Sequence, residues 1–515
     1  MKHSCKNSIG ARHFQHLLVS MKFTCLNKGS GYYFPPSYIL DVSGFRILLD
    51  CPLDISALTI FSPLTTQFHP QLVNESSRYS SMDMEFEIHK RQKIEQPLDR
   101  GNFIRAEPWY KTVTDLHLWD PSSIDIVLIS SMTGMLGLPF LTRNKGFSAK
   151  IYATEATASL GQLMMKDLVS MHSEFVHIYG LEPNFPQWLK WEELELLPSP
   201  LKEIAFGKDG LELGGWRPLY SSEDVQVCIQ KVEIVKYAEE TCYNGALILK
   251  AFSSGLEIGS CNWTIDSADA DIASVSSSMF ASNVATEFNY HALQGKDLIL
   301  YSDFSANENM EDFEHGNKYN APTMHPSSTL NDSTVDCKNV DECLLNSEEL
   351  LEERDKLAFV CSCVVDSVRA GGSVLVALVQ PSISLQLLEQ IPDYLESSAM
   401  RVPVYVISSI ASELLAFTNV VPEWLCKQRQ EKLFSCQPLF SYAQHLKEKK
   451  LHLFPSIHST ELLTNWQEPC IIFASHWSLR LGPVVHLLQR WHGDRNSLLV
   501  LEVLRCLSCL SSQWR

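Results

Sequence analysis

A chain of 515 residues is several times longer than one typical domain, so we expect at least two hydrophobic cores. Its hydrophobic fraction of 45% and charged fraction of 20% are those of an ordinary globular protein, which excludes global disorder. The formal net charge of −18 disfavours direct binding of a polyanion such as RNA, because Lys and Arg supply most nucleic-acid affinity.

The cysteines and the termini add two further restrictions. Fifteen cysteines without framework spacing are typical of reduced, buried thiols rather than of a disulfide scaffold. The most apolar run, Val374 to Leu388, is interrupted by polar residues and a proline, so no membrane-spanning helix is predicted. Residues 1–20 contain basic residues but no acid, and two interpretations stay open: an organellar transit peptide, or a disordered extension.

The first half of the chain is predicted to be rich in strands. Short runs of β-branched and aromatic residues, separated by turn residues, predict strands at Lys22 to Leu26, Tyr38 to Val42, Phe45 to Leu49, Ile124 to Ile129, Val225 to Val235, Ala246 to Phe252 and Asp297 to Tyr301. Residues 74–108 lack periodicity and are predicted to form an exposed insertion.

One amphipathic helix is predicted among these strands, from Ala153 to Val169. Its apolar positions at helical spacing are Ala156, Leu160, Leu163, Met164 and Leu168. Further along, residues 305–350 are rich in Asn, Ser, Asp and Glu and hold few large apolar side chains. They are predicted to be a flexible loop between two domains, because they bury too little apolar surface to order themselves.

After this loop the pattern alternates between helix and strand. A helix is predicted from Leu350, and Ser408 or Ser409 is the expected N-cap of a later helix. The other predicted elements are strand Ser373 to Val379, helix Pro381 to Leu395, strand Val402 to Ile407, strand Cys470 to Ala474, helix Pro483 to Trp491 and strand Ser497 to Leu501. Such alternation predicts a parallel sheet covered on both faces, an α/β domain.

Four segments of the sequence together resemble the metallo-β-lactamase/β-CASP family. They are FRILLDC (Phe45 to Cys51), DIVLISSMTGMLGLP (Asp125 to Pro139), SSGLEIGSCNW (Ser253 to Trp263) and PCIIFASHWSLRLGP (Pro469 to Pro483). The resemblance implies an α/β fold class, a metallo-β-lactamase αββα sandwich with an inserted α/β β-CASP domain. It implies a lactamase-like domain at 21–304, a β-CASP-like domain at 351–502 and an atypical tail at 503–515.

The resemblance also locates the positions at which family members bind zinc, and the ligand residues are missing there. Counted forward from Ser130, these positions fall on Ser131, Thr133, Met135 and Leu136; counted backward from Leu138-Pro139, they fall on Ser131, Thr133 and Gly134. The later ligand positions fall on Leu256, on Ser277 or Ser278, and on Ser302, one residue before Asp303. Because zinc requires imidazole, thiolate or carboxylate ligands, we predict no catalytic, cofactor-binding or metal-binding residue.

Asp50 is the one family acid that this chain retains, and we expect its carboxylate to accept hydrogen bonds from loop amides. Two alternatives stay open: a metal-dependent RNA hydrolase with an unorthodox site made by Asp50, Asp303 and His476, and a truncated, assembly-defective form. His476 follows a predicted strand, where ligands of α/β sheets bind, but we interpret it as structural or exposed.

Other chemistry-bearing patterns receive structural interpretations. His486 and His492 are predicted to be solvated, and His172, His177, Asp266, Asp269, Asp271, Cys361, Cys363, Cys506 and Cys509 lack metal-site spacing. The nucleophile elbow, the phosphate-binding loop, the HExxH motif and the dinucleotide fingerprint are all absent. The glycines between Gly207 and Gly215 are interpreted as a hairpin turn.

Within the family, IYATEAT (Ile151 to Thr157) and SHWSLRLGPVVHLLQRW (Ser475 to Trp491) are most similar to the non-catalytic Integrator subunits. The non-catalytic subunit of the cleavage and polyadenylation specificity factor is the second choice. The resemblance implies a nuclear scaffold without cofactor that pairs with the catalytic Integrator endonuclease subunit and other Integrator subunits. It implies a role in 3′-end processing of small nuclear RNAs and other RNA polymerase II transcripts, with RNA contacted only through the complex and no membrane.

Overall fold

The computed structural model describes residues 21–29, 31–55, 119–179, 217–302 and 348–502, with scattered positions between 105 and 116 and at 188–189. The predictions for residues 1–20, 303–347 and 503–515, for most of 74–108 and for the hairpin at 207–215 lie outside the described residues. The described residues form more than one hydrophobic core, as the chain length predicted.

A six-stranded sheet forms the first layer of the N-terminal half, with the strand order β1-β2-β3-β5-β6-β8. Its strands are β1 (Lys22–Asn27), β2 (Ser37–Val42), β3 (Phe45–Leu49), β5 (Ile126–Leu128), β6 (Lys150–Thr154) and β8 (Val232–Val235). The first three strands are antiparallel and the others pair in parallel. Successive side chains of β5 are all buried, so this strand is covered on both faces.

A five-stranded sheet forms the second layer, in the order β13-β12-β11-β10-β9. Its strands are β9 (Thr241–Tyr243), β10 (Leu247–Ser253), β11 (Cys261–Ser267), β12 (Asp271–Val275) and β13 (Leu298–Tyr301). One core lies between the two sheets and contains the buried Trp263. A second core lies between the first sheet and its helices, which are α1 (Leu138–Thr142), α2 (Glu155–Tyr179) and α3 (Ser222–Gln230).

The C-terminal half contains a fully parallel sheet in the order β16-β15-β17-β14-β18. Its strands are β14 (Val374–Ala377), β15 (Val404–Ile407), β16 (Leu451–Phe454), β17 (Ile471–Ala474) and β18 (Leu498–Leu501). The helices are α4 (Glu348–Arg369), α5 (Pro381–Ser397), α6 (Ala411–Thr418), α7 (Lys427–Glu431), α8 (Tyr442–Lys447), α9 (Thr460–Asn465) and α10 (Pro483–Trp491). Alternate residues of β14 belong to two different cores, so the predicted parallel sheet covered on both faces is confirmed.

Three local predictions are wrong. The predicted strand from Val225 to Val235 is helix α3 followed by β8, because Ser221 and Asp224 form a reciprocal capping box that begins the helix. The predicted helix from Ala153 begins two residues later, because Ala153 and Thr154 are the last two residues of β6 and pair with β8. Part of the predicted insertion also forms structure, since Arg105–Ala106 (β4) pairs with Trp188–Leu189 (β7).

The expected N-cap at Ser408 or Ser409 is also wrong. Helix α6 begins at Ala411, and its N-cap, Ile410, makes no side-chain cap hydrogen bond. The hydroxyls of Ser408 and Ser409 instead donate to Asp167, which lies on α2. The two serine side chains that the local sequence predicted to cap a helix therefore form a tertiary contact between the two halves instead.

Membrane insertion of a helix has no support in the described part of the chain. None of its helices is both long enough and apolar enough to cross a bilayer. The longest, α2, spans 25 residues and packs several of its side chains into the first core.

Candidate functional site

Several of the residues at the expected zinc-ligand positions line one small cavity. It is lined by Asp50, Ser131, Leu256, Ser277 and Ser302, among others. Each of these residues follows the carboxyl end of a strand, namely β3, β5, β10, β12 or β13. The cavity volume is about 20 Å³, which is close to the space that one water molecule needs. Thr133 and Leu136, at two other expected positions, instead line a different cavity.

Hydroxyl groups replace metal ligands around this cavity. Eight serines line it: Ser130, Ser131, Ser254, Ser260, Ser274, Ser276, Ser277 and Ser302. Asp50 is the one lining residue of a type that binds zinc well, and the lining includes Leu256, where the family resemblance places a zinc histidine. A zinc pair does not fit this set of residues. Throughout the part of the chain that the structure describes, no three His, Cys, Asp or Glu side chains form a metal-binding group.

Asp50 is a buried carboxylate held by a loop amide, as its sequence context suggested. Only 6% of the residue is exposed, and Oδ1 accepts a 2.7 Å hydrogen bond from the backbone N–H of Ser130. Burial raises the pKa of Asp50 to about 7, although hydrogen bonds from the Ser130 amide and hydroxyl oppose the shift. The backbone φ of +58° places Asp50 in the left-handed region, where its carbonyl accepts from the Ser37 hydroxyl.

The loop after β5 has become part of the packing around Asp50. A side chain at Gly134 would place its Cβ 2.3 Å from Asp50 Oδ1, so this position has no space for one. Met135, at another ligand position, is fully buried in the core under the first sheet. The loop that carries the metal ligands in the family therefore contributes core packing here, and it closes over the carboxylate.

The serine hydroxyls of the cavity largely bond to one another and to the backbone. Ser254 Oγ and Ser260 Oγ lie 2.7 Å apart, and Ser260 Oγ accepts from the Glu257 amide. Asn262 accepts from both the amide and the hydroxyl of Ser276 and donates to Ser278. These groups are neutral and satisfied, which stabilises a polar cavity without a cation.

His476 lines a second cavity, which is larger than the first. It has a volume of about 190 Å³ and lies between α2 and the carboxyl ends of β14, β15 and β17. His476 Nδ1 accepts from the Ser478 amide at 3.1 Å, and burial lowers the pKa of His476 to about 4, so the ring is neutral. Asp50 and His476 line different cavities, and Asp303 lies outside the described residues.

The remaining histidines show structural contacts. His486 was predicted to be solvated, which is wrong: it is half-buried, and its ring centroid lies 5.1 Å from that of His458. The neighbours of His486 on α10 are buried apolar residues. Burial lowers the pKa of His486. His492 is exposed as predicted. His172 is buried, with Nδ1 3.4 Å from the Tyr110 hydroxyl, whereas His177 is exposed.

The other acidic and thiol candidates are also separated. Asp266 forms ion pairs with Lys250 and Lys296, while Asp269 accepts from the Ser43 hydroxyl. Among the sequence-selected cysteines that the structure describes, Cys361 is buried, Cys363 is half-buried, and both are free thiols. Cys506 and Cys509 lie outside the described residues.

Sequence reasoning missed two buried carboxylates that join the halves of the molecule. Asp167 on α2 accepts from the hydroxyls of Ser408, Ser409 and Ser475, each at 3.0 Å. Glu257, which follows β10, accepts from the amide and hydroxyl of Ser382, the second residue of α5. Burial raises the pKa of Glu257 to about 8.

One sequence signal could have singled out each residue. Asp167 lies beside Leu168 on the otherwise apolar face of α2, and Glu257 is an acid in a loop of small and apolar residues. A charged residue in such a position is normally paired when it is buried. The partners, however, lie more than a hundred residues away in the sequence.

Comparisons with known proteins agree with this two-part architecture. A metallo-beta-lactamase superfamily domain profile matches residues 109–277, and a Beta-Casp domain profile matches residues 385–502. The Integrator complex subunit 9 homolog of Nematostella vectensis is 30% identical over 466 residues, covering 90% of this chain and 63% of that protein. Human Integrator complex subunit 9 is 29% identical over 472 residues, 92% of this chain and 63% of the human protein.

A more distant relative is an enzyme by name. Endoribonuclease YSH1 of Candida albicans is 19% identical over 393 residues, which cover 74% of this chain and 36% of that protein. The chain thus spans just under two thirds of the length of its Integrator relatives and a smaller share of this endoribonuclease.

Proposed function

Because the chain is a homologue of Integrator complex subunit 9 over about nine tenths of its length, with a metallo-β-lactamase superfamily domain and a β-CASP domain, we propose that it is a non-catalytic scaffold subunit of the Integrator complex. It pairs with the catalytic Integrator endonuclease subunit and contacts other Integrator subunits. It acts in the nucleus, in 3′-end processing of small nuclear RNAs and other RNA polymerase II transcripts.

The observation that carries the proposal is the serine-lined cavity. A two-metal hydrolase holds its ions with several His and Asp side chains, and the metals activate the attacking hydroxide. Here Asp50 is the one such side chain among the described residues at those positions, and Leu256 replaces an imidazole with an alkyl group. One carboxylate surrounded by hydroxyls cannot hold a metal pair, so the cleavage step falls to a partner.

The charge of the chain supports the same division of labour. A net charge of −18 repels the phosphates of RNA, whereas nucleic-acid binding requires cationic surface. A scaffold without a metal site and with this negative net charge contributes by binding protein. In this proposal RNA is therefore held by the other subunits of the complex.

Co-purification with the catalytic Integrator subunit tests the pairing. The tagged 515-residue chain is co-expressed with that subunit, beside a version extended by the C-terminal part of a longer relative. Stable one-to-one binding by this chain supports the proposed pairing. Binding by the extended version alone identifies this chain as an assembly-defective form, and binding by neither refutes the pairing.

Metal analysis tests the non-catalytic assignment independently. The chain purified without added zinc should contain far less than one zinc ion per molecule, whereas the catalytic subunit purified in parallel serves as the zinc-containing control. About two tightly bound zinc ions per chain would overturn the assignment even if the two proteins pair.

A further inference from the structure

A cavity between the two halves of the described molecule has the position and size of a ligand site. It opens at the carboxyl ends of the parallel strands β14, β15 and β17, the edge at which open α/β sheets bind their ligands. Helix α2 of the other half closes it from the opposite side. Its volume of about 190 Å³ exceeds the roughly 150 Å³ of an engineered cavity that binds benzene.

The walls of this interdomain cavity are mainly apolar. Side chains from both halves contribute, among them Met164 and Met171 of α2, Leu385 and Leu388 of α5, and Phe473 of β17. The two thioethers are flexible and polarisable, so this wall can adapt to an aromatic or branched guest. A small apolar body therefore gains burial here, while a sugar or a phosphate would lose its hydration.

One carboxylate gives the cavity a polar end. Asp167, only 7% exposed, lines it beside Ser408 and Ser475, which donate hydroxyls to its two oxygens. Asp167 accepts hydrogen bonds from serine hydroxyls, and no basic side chain in the described ranges forms an ion pair with it. His476 lines the same cavity as a neutral ring, so it adds no compensating positive charge.

These features together define the chemistry of an occupant. We propose that the interdomain cavity binds a small apolar molecule that carries one ammonium group, of about the size of benzylamine. The ammonium group donates to Asp167, and the apolar body lies among Met164, Met171 and the α5 leucines. A buried carboxylate surrounded by neutral donors attracts a cation, and a ligand whose remaining surface is apolar loses little other hydration when it binds there. This site is separate from the scaffold role and does not depend on it.

Paired ligands test the two parts of the proposal. Binding of benzylamine and of benzyl alcohol to the full 515-residue chain is measured by isothermal titration calorimetry. The two compounds share the ring but differ in charge. Saturable binding of benzylamine at least tenfold tighter than benzyl alcohol is expected. Equal affinities, or no saturable binding to folded protein, would overturn the proposal.

Matched variants locate the binding. Asp167→Asn keeps the shape of the carboxylate but removes its charge, and should weaken benzylamine binding at least tenfold while leaving benzyl alcohol unchanged. Asp355→Asn changes an exposed carboxylate on α4 and should leave both affinities as in the parent chain. Unchanged benzylamine affinity in folded Asp167→Asn contradicts the assigned contact.

A second cavity variant keeps the test decisive if Asp167→Asn does not fold. Leu414 is a half-buried residue of α6 that lines the cavity, so Leu414→Trp fills the space from a position that tolerates a larger side chain. Its thermal unfolding confirms that it is folded, and it should abolish binding of both compounds. Retained benzylamine binding in folded Leu414→Trp would place the ligand elsewhere and refute the site.

Discussion

Replacing Glu257 by Gln should change how the stability of the chain depends on pH. The carboxylate is 1% exposed, and burial raises its pKa from 4.5 to about 8. Because the folded-state pKa lies above the unfolded value, folding takes up a proton between pH 4.5 and 8. The free energy of unfolding therefore falls as pH rises through this window, and the loss is complete above about pH 8.

The size of this effect follows from the shift. A rise of about 3.5 units, from 4.5 to 8, corresponds to about 5 kcal/mol at 1.36 kcal/mol per unit. The negative charges of neighbouring Glu502 and Glu353 contribute to the raised pKa, so part of the free-energy cost comes from their repulsion and not from the burial of Glu257 alone. We therefore expect Glu257→Gln to raise the free energy of unfolding by roughly 2 to 4 kcal/mol at pH 8 and to change it little at pH 5.

Paired denaturation curves give the measurement. Urea unfolding is measured for the parent chain and for Glu257→Gln at pH 5 and at pH 8. The change in unfolding free energy between the two pH values is then compared for the two proteins, so that pH-independent effects of the new amide on packing cancel. Glu413→Gln, at a largely exposed position on α6, is the matched control and should leave the pH dependence unchanged. If Glu257→Gln and the parent chain lose the same stability between the two pH values, the buried carboxylate is not the source.

Three other outcomes follow from the described contacts. Glu389→Ala should lower the free energy of unfolding by about 3 to 5 kcal/mol in urea titrations, because it leaves the buried Arg429 guanidinium without its two-point partner; a loss below about 1 kcal/mol would contradict this burial. Gly134→Ala should cost about 1 to 3 kcal/mol because its Cβ meets Asp50 Oδ1, whereas Gly146→Ala, whose Cβ would make only an ordinary van der Waals contact with Ser122 at 3.6 Å, should cost much less in the same assay. The purified chain should not cleave RNA with added zinc or manganese, and cleavage that disappears on Asp50→Ala would instead support the hydrolase alternative.

The parallel sheet was predictable because burial on both faces leaves a simple sequence signal. Strands β14, β15 and β17 are continuous apolar runs bounded by Gly, Pro or Ser, and no alternation is needed to recognise them. Helix α10 was equally clear, because Pro483 opens it and its buried positions recur at helical spacing. Local chemistry determines these elements, so local reasoning recovered them.

Helix α3 shows where the local signal was available but misinterpreted. The run from Val225 to Val235 alternates apolar and polar residues as a strand does, yet only Val225 and Cys228 of its helical part are buried. Their spacing of three, together with Ser221 three residues before Asp224, is the pattern of a capped amphipathic helix. The β-branched residues of this run favoured a strand, whereas the cap and the spacing of the buried residues indicate the helix.

The contacts between the halves could not be predicted in the same way. Ser408 and Asp167 are 241 residues apart in the sequence, and Ser382 and Glu257 are 125 apart. A serine after a strand predicts a helix cap as readily as a tertiary donor. Only the folded chain shows that these serines bind carboxylates across the domain boundary.

A common arrangement connects the serine-lined cavity with the domain boundary. Asp50, Asp167 and Glu257 are buried carboxylates with raised pKa values, and each accepts hydrogen bonds from serine amides or hydroxyls. Neutral donors satisfy a buried carboxylate without supplying positive charge, so each site is most stable where the group is protonated. The contribution of these three groups to folding stability is therefore lost as the pH rises through their raised pKa values, so the stability of the chain falls toward alkaline pH.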